Sequence, residues 1–548
     1  MNNDNKKNTK HNNSLALFLV GSLIMTSLWG CAAKKDTKED SLNSTEASIE
    51  EIMETDNTDE NASDNESNTE TDSLSLTDSN SKSSSGNYLS KDNIAINETY
   101  ENNVDGEHAI SADGEDASYS DIGVVKTGDS SGDEADFYGE NAAVFATNGA
   151  TLTLSDIYVE TDGTHANGVF SYGEGTTVNI SDSVIETSGN CSGGLMTTGG
   201  GTMIANNLTI NTSGNSSAAI RSDRGGGTVN VDGGYYKTTG TGSPVIYSTA
   251  DITVSNAYLE STASQGVVVE GKNSVTLKNC DLVADNNTKN SDKSDTYQAV
   301  MIYQSMSGDA ASGTSSFSMN GGSLTNANGD IFFINNTACT INLEDVTITN
   351  NDSDGIFLRA EAAGWGNSGS NGGKVTLTAA NQDIDGDMIV DEVSALNLYL
   401  TDGSSFVGAI NSDGTAGEVY VKLDENSTWT LTGDSYITSL TCNAGSINLN
   451  GHILYVNGEV YTEGTDSTGE TIDITSGSNS SEYGMPTDGN GSDSGDAPSG
   501  IPGDGKSDHN DSGSSGNTPP EKPSSDGNGG PGEPPSDGNG TPPEKPDR

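Results

Sequence analysis

A repeat runs through the middle of the chain and restricts the possible fold more than any other feature. Each copy opens with an apolar residue, and successive openings are separated by steps of 26, 25, 26, 23 and 23 residues: Leu152, Val178, Met203, Val229, Ile252 and Val275. A repeat of this length suits one coil of a solenoid, in which each copy buries its apolar residues against the next. The sequence therefore predicts an all-β fold, a right-handed parallel β-helix (β-solenoid), over residues 95–475.

A second column of residues marks the bends of the predicted coils. Four positions after the opening residue, the copies carry an Asp, an Asn or a Gly: Asp156, Asp182, Asn207, Gly233, Asn256, Asn279, Gly321 and Asp345. These residue types tolerate a left-handed backbone better than others do. We therefore expect a tight bend at this position of every coil, with a short strand on either side.

Another short strand precedes each copy, and its alternation predicts which residues face outwards. The inward column is expected to hold Phe170, Met196, Ile220, Ile246, Val268 and Met301. The outward column then holds Ser171, Thr197, Arg221, Tyr247, Val269, Ile302, Phe333 and Leu358. Its change from polar to apolar indicates either a binding face or a surface covered by the insertions that the later coils carry.

Arginine and aromatic residues beside this column are the candidates for ligand binding. These side chains are enriched where binding energy concentrates, and arginine also pairs with carboxylates. The candidates are Arg221, Arg224, Tyr247, Tyr303, Arg359 and Trp365. The net charge of -58 excludes a nucleic-acid binder, which needs clustered Lys and Arg. The expected partners are glycans or host and cell-surface proteins.

One acidic segment has the spacing of a calcium-binding loop. It offers oxygen ligands at Asn381, Asp383, Asp385 and Glu392, with Gly386 at the turn. The flanking segments read as strands, whereas an EF-hand needs helices. An EF-hand, a looser calcium site in a turn and an ordinary acidic turn all remain open, so calcium is the one cofactor to consider and none is required.

The two ends of the chain differ in composition from the repeat region. A basic start is followed by an apolar run and by Leu28-Trp29-Gly30-Cys31, which resembles the lipobox of bacterial lipoproteins. The resemblance implies that residues 1–30 are a lipoprotein signal peptide and that Cys31 is lipidated. Trp29 departs from the lipobox pattern, so an uncleaved apolar anchor is the alternative. Either form would hold the protein in the cell membrane on its extracellular side.

The segments next to the repeats contain too few apolar residues to form a core. Residues 31–94 are rich in Ser, Thr, Asn, Asp and Glu, and residues 476–548 are rich in Gly, Pro, Ser and Asp. Such segments are expected to be disordered. They would form a stalk and a tail on either side of the β-helix.

Residues 95–475 resemble the pectate-lyase-like and adhesin-like β-helices of bacterial surface proteins. The phrases at 427–433 and 451–458 are similar to the closing rungs of autotransporter passengers. The enzyme resemblance implies an Arg or Lys that removes a proton, for which the segment Arg221-Ser-Asp-Arg224 is the best candidate, but the paired Asp motifs of the related galacturonases are missing. Because a shared fold does not carry a function, we expect adhesion or carbohydrate binding without catalysis. A polysaccharide lyase or glycoside hydrolase is the alternative, and a structural spacer is the third hypothesis.

Overall fold

The computed structural model describes residues 87–289, 293–414 and 417–474. The predicted signal peptide with Cys31, most of the predicted stalk and the predicted tail lie outside these residues. The described part contains a 3-10 helix at Lys91–Asn93 and an α-helix at Asp133–Phe137, and its other regular elements are strands. Neither helix is long and apolar enough to cross a membrane.

The strands stack as the coils of a parallel β-helix, and two large sheets follow from that stacking. The first sheet has 17 strands: Glu98–Asn102, Ala117–Lys126, Thr151–Thr161, Thr177–Ser181, Val184–Thr187, Gly201–Thr212, Gly227–Thr238, Asp251–Ser255, Tyr258–Ser261, Ser274–Ala284, Thr314–Asn326, Ala338–Glu344, Thr347–Asn350, Lys374–Ala380, Ala395–Thr401, Glu418–Leu423 and Ser439–Thr441. The second sheet has 11 strands: Ile110–Asp113, Val144–Thr147, Val169–Tyr172, Leu195–Thr198, Ile220–Ser222, Ile246–Ser248, Val267–Glu270, Gln298–Tyr303, Asp330–Asn335, Leu358–Ala360 and Met388–Val390.

Two smaller sheets complete the later coils. The third sheet consists of Asp383–Asp385, Ser405–Val407, Thr428–Thr430 and Ile447–Asn448. The fourth consists of Ser435–Ile437, Leu454–Val456 and Glu459–Val460, and its last pair is antiparallel. The predicted all-β class and the parallel β-helix are confirmed.

The repeat that predicted the fold lies in register in the first sheet. Leu152 pairs with Val178, Val178 with Met203, and the column continues through Val229 and Ile252 to Val275. All of these side chains are buried in the main core. Each coil thus buries its opening residue against the next coil, as the spacing predicted.

The predicted bends are also confirmed. All eight positions of the Asp, Asn and Gly column have a positive φ, between 48° and 76°. At each bend the chain changes direction within the first sheet. The strand segments before and after the bend therefore form two differently oriented parts of that sheet. Side chains in the column bond to the coil below, as when Asn256 donates to the carboxylate of Asp232 over 2.7 Å.

The register of the second sheet differs from the prediction. Met196 pairs with Arg221 rather than with Ile220. The outer column therefore runs through Phe145, Phe170, Met196, Arg221, Tyr247, Val268, Met301, Phe333 and Arg359. The predicted outward direction of Ser171, Thr197, Val269, Ile302 and Leu358 is wrong: Ser171 and Thr197 share an inner column with Val269 and Ile302, and Leu358 packs in the main core.

Loops cover the outer face of the second sheet, which explains the wrong register. Near its start, Phe145, Phe170 and Met196 pack together with Ala142, from the loop that follows the α-helix. Further along, Tyr247, Val268, Met301 and Phe333 pack with Trp365 from a late insertion. A strand buried on both faces does not alternate between apolar and polar residues, so its sequence does not reveal which side faces the core.

Residues 87–94 pack along the outside of the first sheet, although the sequence places them in the stalk. The backbone N–H of Leu89 donates to Thr209 Oγ1 over 2.7 Å, and Leu89 packs with Ile94, Tyr158 and Val184. These residues therefore lie against the side of the β-helix, next to the coils that contain Tyr158, Val184 and Thr209 rather than next to the first strand.

Candidate ligand-binding groove

Four of the six predicted ligand-binding residues lie together on the outer face of the second sheet. Tyr247, Tyr303 and Trp365 belong to one apolar cluster, and Arg221 precedes Tyr247 in the outer column. The rings of Tyr303 and Trp365 meet edge to face with their centroids 5.1 Å apart. All four side chains are buried, with Arg221, Tyr247 and Trp365 each only 4% exposed.

Buried carboxylates bind the polar ends of these residues. The guanidinium of Arg221 donates to Asp223 over 2.8 Å. The hydroxyls of Tyr247 and Tyr303 both donate to the same carboxylate oxygen of Glu270, the second over 2.9 Å. Asp223 and Glu270 are themselves buried, so the network is closed within the protein.

Arg224 joins three distant parts of the chain and is half-buried. Its Nε donates to Asp309 over 2.6 Å, and its Nη1 donates to Asp133 over 2.9 Å. The guanidinium also lies 3.7 Å from the ring centre of Phe137, a distance that suits a cation–π contact. We call this contact between the α-helix, the turn after Arg221 and the loop 304–313 the Arg224 clamp.

Arg359 lies at the far end of the outer column and is also paired. Its Nε donates to Asp330 over 2.6 Å, and its Nη1 lies 3.5 Å from Glu361. The arginines of the β-helix therefore neutralise carboxylates of their own chain. Arg221 and Tyr247 face outwards as predicted, but the loops and these acids enclose them.

Two small clefts lie beside this enclosed network, and Gly242 lines both of them. The first is lined by Ser216, Ala218, Arg221, Gly242, Pro244 and Tyr247. The second is lined by Gly242, Ser264, Gln265, Asn286, Thr288, Lys289, Ser294, Thr296, Tyr297, Gln298, Met301 and Trp365. We call the two together the groove: its lining combines hydroxyls and amides with aromatic rings.

Gln298 gives the groove an unsatisfied acceptor. The residue is 1% exposed, and its side-chain oxygen has no hydrogen-bond partner in the described part of the chain. Its amide nitrogen faces the sulfur of Met301 at 3.4 Å. A buried polar group without a partner costs free energy, which a ligand that donates a hydrogen bond there would recover.

Burial shifts the ionisation of the two carboxylates beneath the groove. Loss of solvent raises the pKa of Glu270 to about 7, although both tyrosine hydroxyls favour the charged form. The same cause raises the pKa of Asp223 to about 6, against the opposing effect of Arg221. Both groups thus titrate much closer to neutral pH than carboxyl groups in water do.

The predicted calcium ligands are spread over separate elements. Asp383 and Asp385 are exposed on one strand of the third sheet, Asn381 forms a left-handed bend before it, and Glu392 follows a strand of the second sheet. Within the described ranges, the oxygens of the three acids do not converge as a metal-ligand group. Of the three alternatives, this placement favours the ordinary acidic turn, and added calcium is the test.

Sequence reasoning missed Asp223, Glu270, Gln298 and Lys289. Asp223 carried a signal, because it stands between Arg221 and Arg224 in the sequence. Glu270 and Gln298 had none, since each is a single polar residue at the end of an apolar strand.

The chain was also compared with known proteins. No family model matches it, and no curated protein or solved structure matches it either. The function must therefore be inferred from the groove itself.

Proposed function

We propose that this protein is a lipid-anchored surface protein that binds carbohydrate in the groove, without cleaving it. The lining of the groove carries the proposal. Sugar-binding sites combine aromatic rings, against which a pyranose packs, with side-chain hydroxyls and amides that bond its hydroxyl groups. Tyr297 supplies a half-buried ring, Trp365 forms a buried apolar wall of the second cleft, and the buried oxygen of Gln298 supplies an acceptor that lacks a partner.

The anchor and the location belong to the same proposal. Cys31 would hold the protein in the membrane, and the stalk would carry the β-helix away from the surface. A groove on the side of the β-helix is then presented to glycans outside the cell.

Cleavage of a glycan is a second candidate, and one observation favours it. Asp223 and Glu270 have pKa values raised toward neutrality, as general acids require. Such a residue must contact the glycosidic oxygen, yet both carboxylates are buried and occupied by Arg221 and the tyrosines. Binding is therefore better supported than catalysis.

A printed glycan array probed with the full chain tests the proposal. Replacing two groove residues, Lys289→Ala with Tyr297→Ala, should abolish retention and leave the melting temperature nearly unchanged, because Lys289 is exposed and Tyr297 is half-buried. Tyr258→Ala is the matched control, since Tyr258 is a half-buried tyrosine on the first sheet.

Three results would count against binding in the groove. They are retention that survives the double replacement, retention that is lost in the Tyr258 control, and the absence of any retained glycan. New reducing or unsaturated ends on the glycan would support the enzyme instead.

A further inference from the structure

The second cleft contains hydrogen-bonding groups that the protein leaves poorly matched. The side-chain oxygen of Gln298 has no hydrogen-bond partner among the described residues, and Gln298 is 1% exposed. The amide nitrogens of Gln298 and Gln265 both donate to the sulfur of Met301, at 3.4 and 3.9 Å. A thioether sulfur is a weak acceptor. One acceptor and two donors therefore lie around Met301 with little to bond.

The orientation of Gln265 is fixed by its neighbour. Ser264 donates its hydroxyl to the side-chain oxygen of Gln265 over 2.7 Å, and both residues line the second cleft. Because that oxygen is already bonded, the amide nitrogen is the group of Gln265 that faces Met301. A ligand in this cleft thus meets a donor from Gln265 and an acceptor from Gln298.

Apolar surface lies beside these polar groups. Met301 and Trp365 line the same cleft and pack in one apolar cluster, and both side chains are buried. A purely polar ligand group placed against this wall would lose water without gaining a partner there. The matching group must therefore combine hydrogen-bonding atoms with an apolar part.

The size of the cleft suits a substituent of a sugar rather than a whole sugar. The cleft holds about 40 Å³ of free space. A water molecule needs roughly 10–15 Å³ of such space, so the cleft has room for about three water-sized groups. A pyranose ring is larger and must stay at the mouth, where half-buried Tyr297 offers a ring to pack against. A single hydroxyl group would leave most of the cleft unfilled.

We propose that the groove recognises an N-acetylated hexosamine by its acetamido group, which enters the second cleft while the pyranose ring stays outside. The acetamido carbonyl accepts from Gln265 and its N–H donates to Gln298, while the methyl group packs against Met301 and Trp365. This one small, planar group supplies the acceptor, the donor and the apolar part that the cleft calls for. The inference rests on the carbohydrate binding proposed above and adds the class of sugar.

Matched pairs of printed glycans, probed with the full chain, test this class. Each pair presents an N-acetylhexosamine and the hexose of the same configuration and linkage: N-acetylglucosamine with glucose, N-acetylgalactosamine with galactose, and N-acetylmannosamine with mannose. In at least one pair, the N-acetylated member should be retained about tenfold or more strongly than its hexose, because the hexose hydroxyl neither fills the cleft nor covers its apolar wall.

Two variants connect this preference to the cleft. Gln298→Met removes the acceptor at nearly constant side-chain length, so retention of the N-acetylated member should fall about fivefold, as expected for one lost hydrogen bond. The melting temperature should not fall, because a buried acceptor without a partner is removed. Gln304→Met is the matched control: the side-chain oxygen of Gln304 also lacks a partner in the described ranges, but Gln304 lies outside both cleft linings, so this variant should keep the preference.

The outcomes separate this inference from the proposed function. Equal retention of both members in every pair, or retention confined to glycans without an N-acetyl group, would overturn the N-acetyl specificity while carbohydrate binding stands. Unchanged retention by Gln298→Met, or loss of the preference in Gln304→Met, would show that the second cleft is not where the acetamido group binds. If no glycan is retained at all, the proposed function fails and this inference fails with it.

Discussion

Replacing Glu270 with Gln should make the protein more stable at neutral and alkaline pH. The folded state raises the pKa of this carboxyl from an ordinary 4.5 to about 7, so folding favours the protonated acid. Its contribution to stability is complete below about pH 4.5 and is lost as the pH rises to about 7. Glutamine has nearly the same shape as the protonated acid and cannot ionise, so the variant avoids this loss.

The size of the effect follows from the shift. At 1.36 kcal/mol for each pKa unit, the whole shift corresponds to about 3 kcal/mol of unfolding free energy. Between pH 5 and pH 8, the difference between variant and natural chain should therefore grow by about 2.5 kcal/mol. Urea unfolding at several pH values measures this difference directly, and other titrating groups cancel because both chains share them.

The matched control is Glu260→Gln on the first sheet: Glu260 also accepts from a tyrosine hydroxyl, that of Tyr235, but it pairs with Lys237 over 3.0 Å, so its replacement should not raise stability at pH 8. A Glu270→Gln variant whose difference does not grow with pH would refute the reasoning, as would one that loses stability at pH 8. Either result would mean that solvent or an unseen partner compensates the ionised acid.

Three further predictions follow from other parts of the chain. Asn256→Ala should cost about 1 kcal/mol in urea unfolding because φ is 55° there, whereas Asn256→Gly should cost less; Asn230→Ala, at an exposed strand position, is the control, and equal costs for Ala and Gly would contradict the backbone argument. Cys31→Ala should move the protein from the membrane fraction to the soluble fraction, and a variant that stays with the membrane would indicate that the apolar segment is the anchor. Added calcium should leave the melting temperature unchanged, because the acids at Asp383, Asp385 and Glu392 do not converge; a rise that disappears in Asp383→Asn would show a calcium site.

The coils and their bends could be predicted from the sequence because each depends on a local and repeated cause. The opening apolar residue of every copy packs against the same position of the next coil, and each bend needs a residue that accepts a positive φ. Both requirements recur at a fixed spacing, so they are visible without a structure. The insertions were visible too, as interruptions of that spacing.

The arrangement of the groove could not be predicted in the same way. Arg221 was correctly expected to face outwards, but its paired neighbour Met196 was expected to face inwards, because residues on both sides of these strands are buried and give no sign of direction. The bond between Arg224 and Asp309 joins residues 85 positions apart, and Asp309 belongs to an insertion that has no counterpart in other coils. Residues such as Glu270 acquire their role only when the loops close over them.

The register of the stacked coils is the claim on which the positions of all the proposed site residues depend, and a cross-link tests it directly. Asn230 and Thr253 are paired neighbours on adjacent strands, which lie about 4.8 Å apart in such a sheet. This separation is within the range of a disulfide. Asn230→Cys with Thr253→Cys should therefore form an internal disulfide under mild oxidation, as shown by mass spectrometry of the digested chain. Positions 230 and 255 are two residues out of register, and their Cα atoms are about 8 Å apart. Asn230→Cys with Ser255→Cys should therefore not form a disulfide. Preferential bonding of the second pair would contradict the register, and with it the placement of the groove.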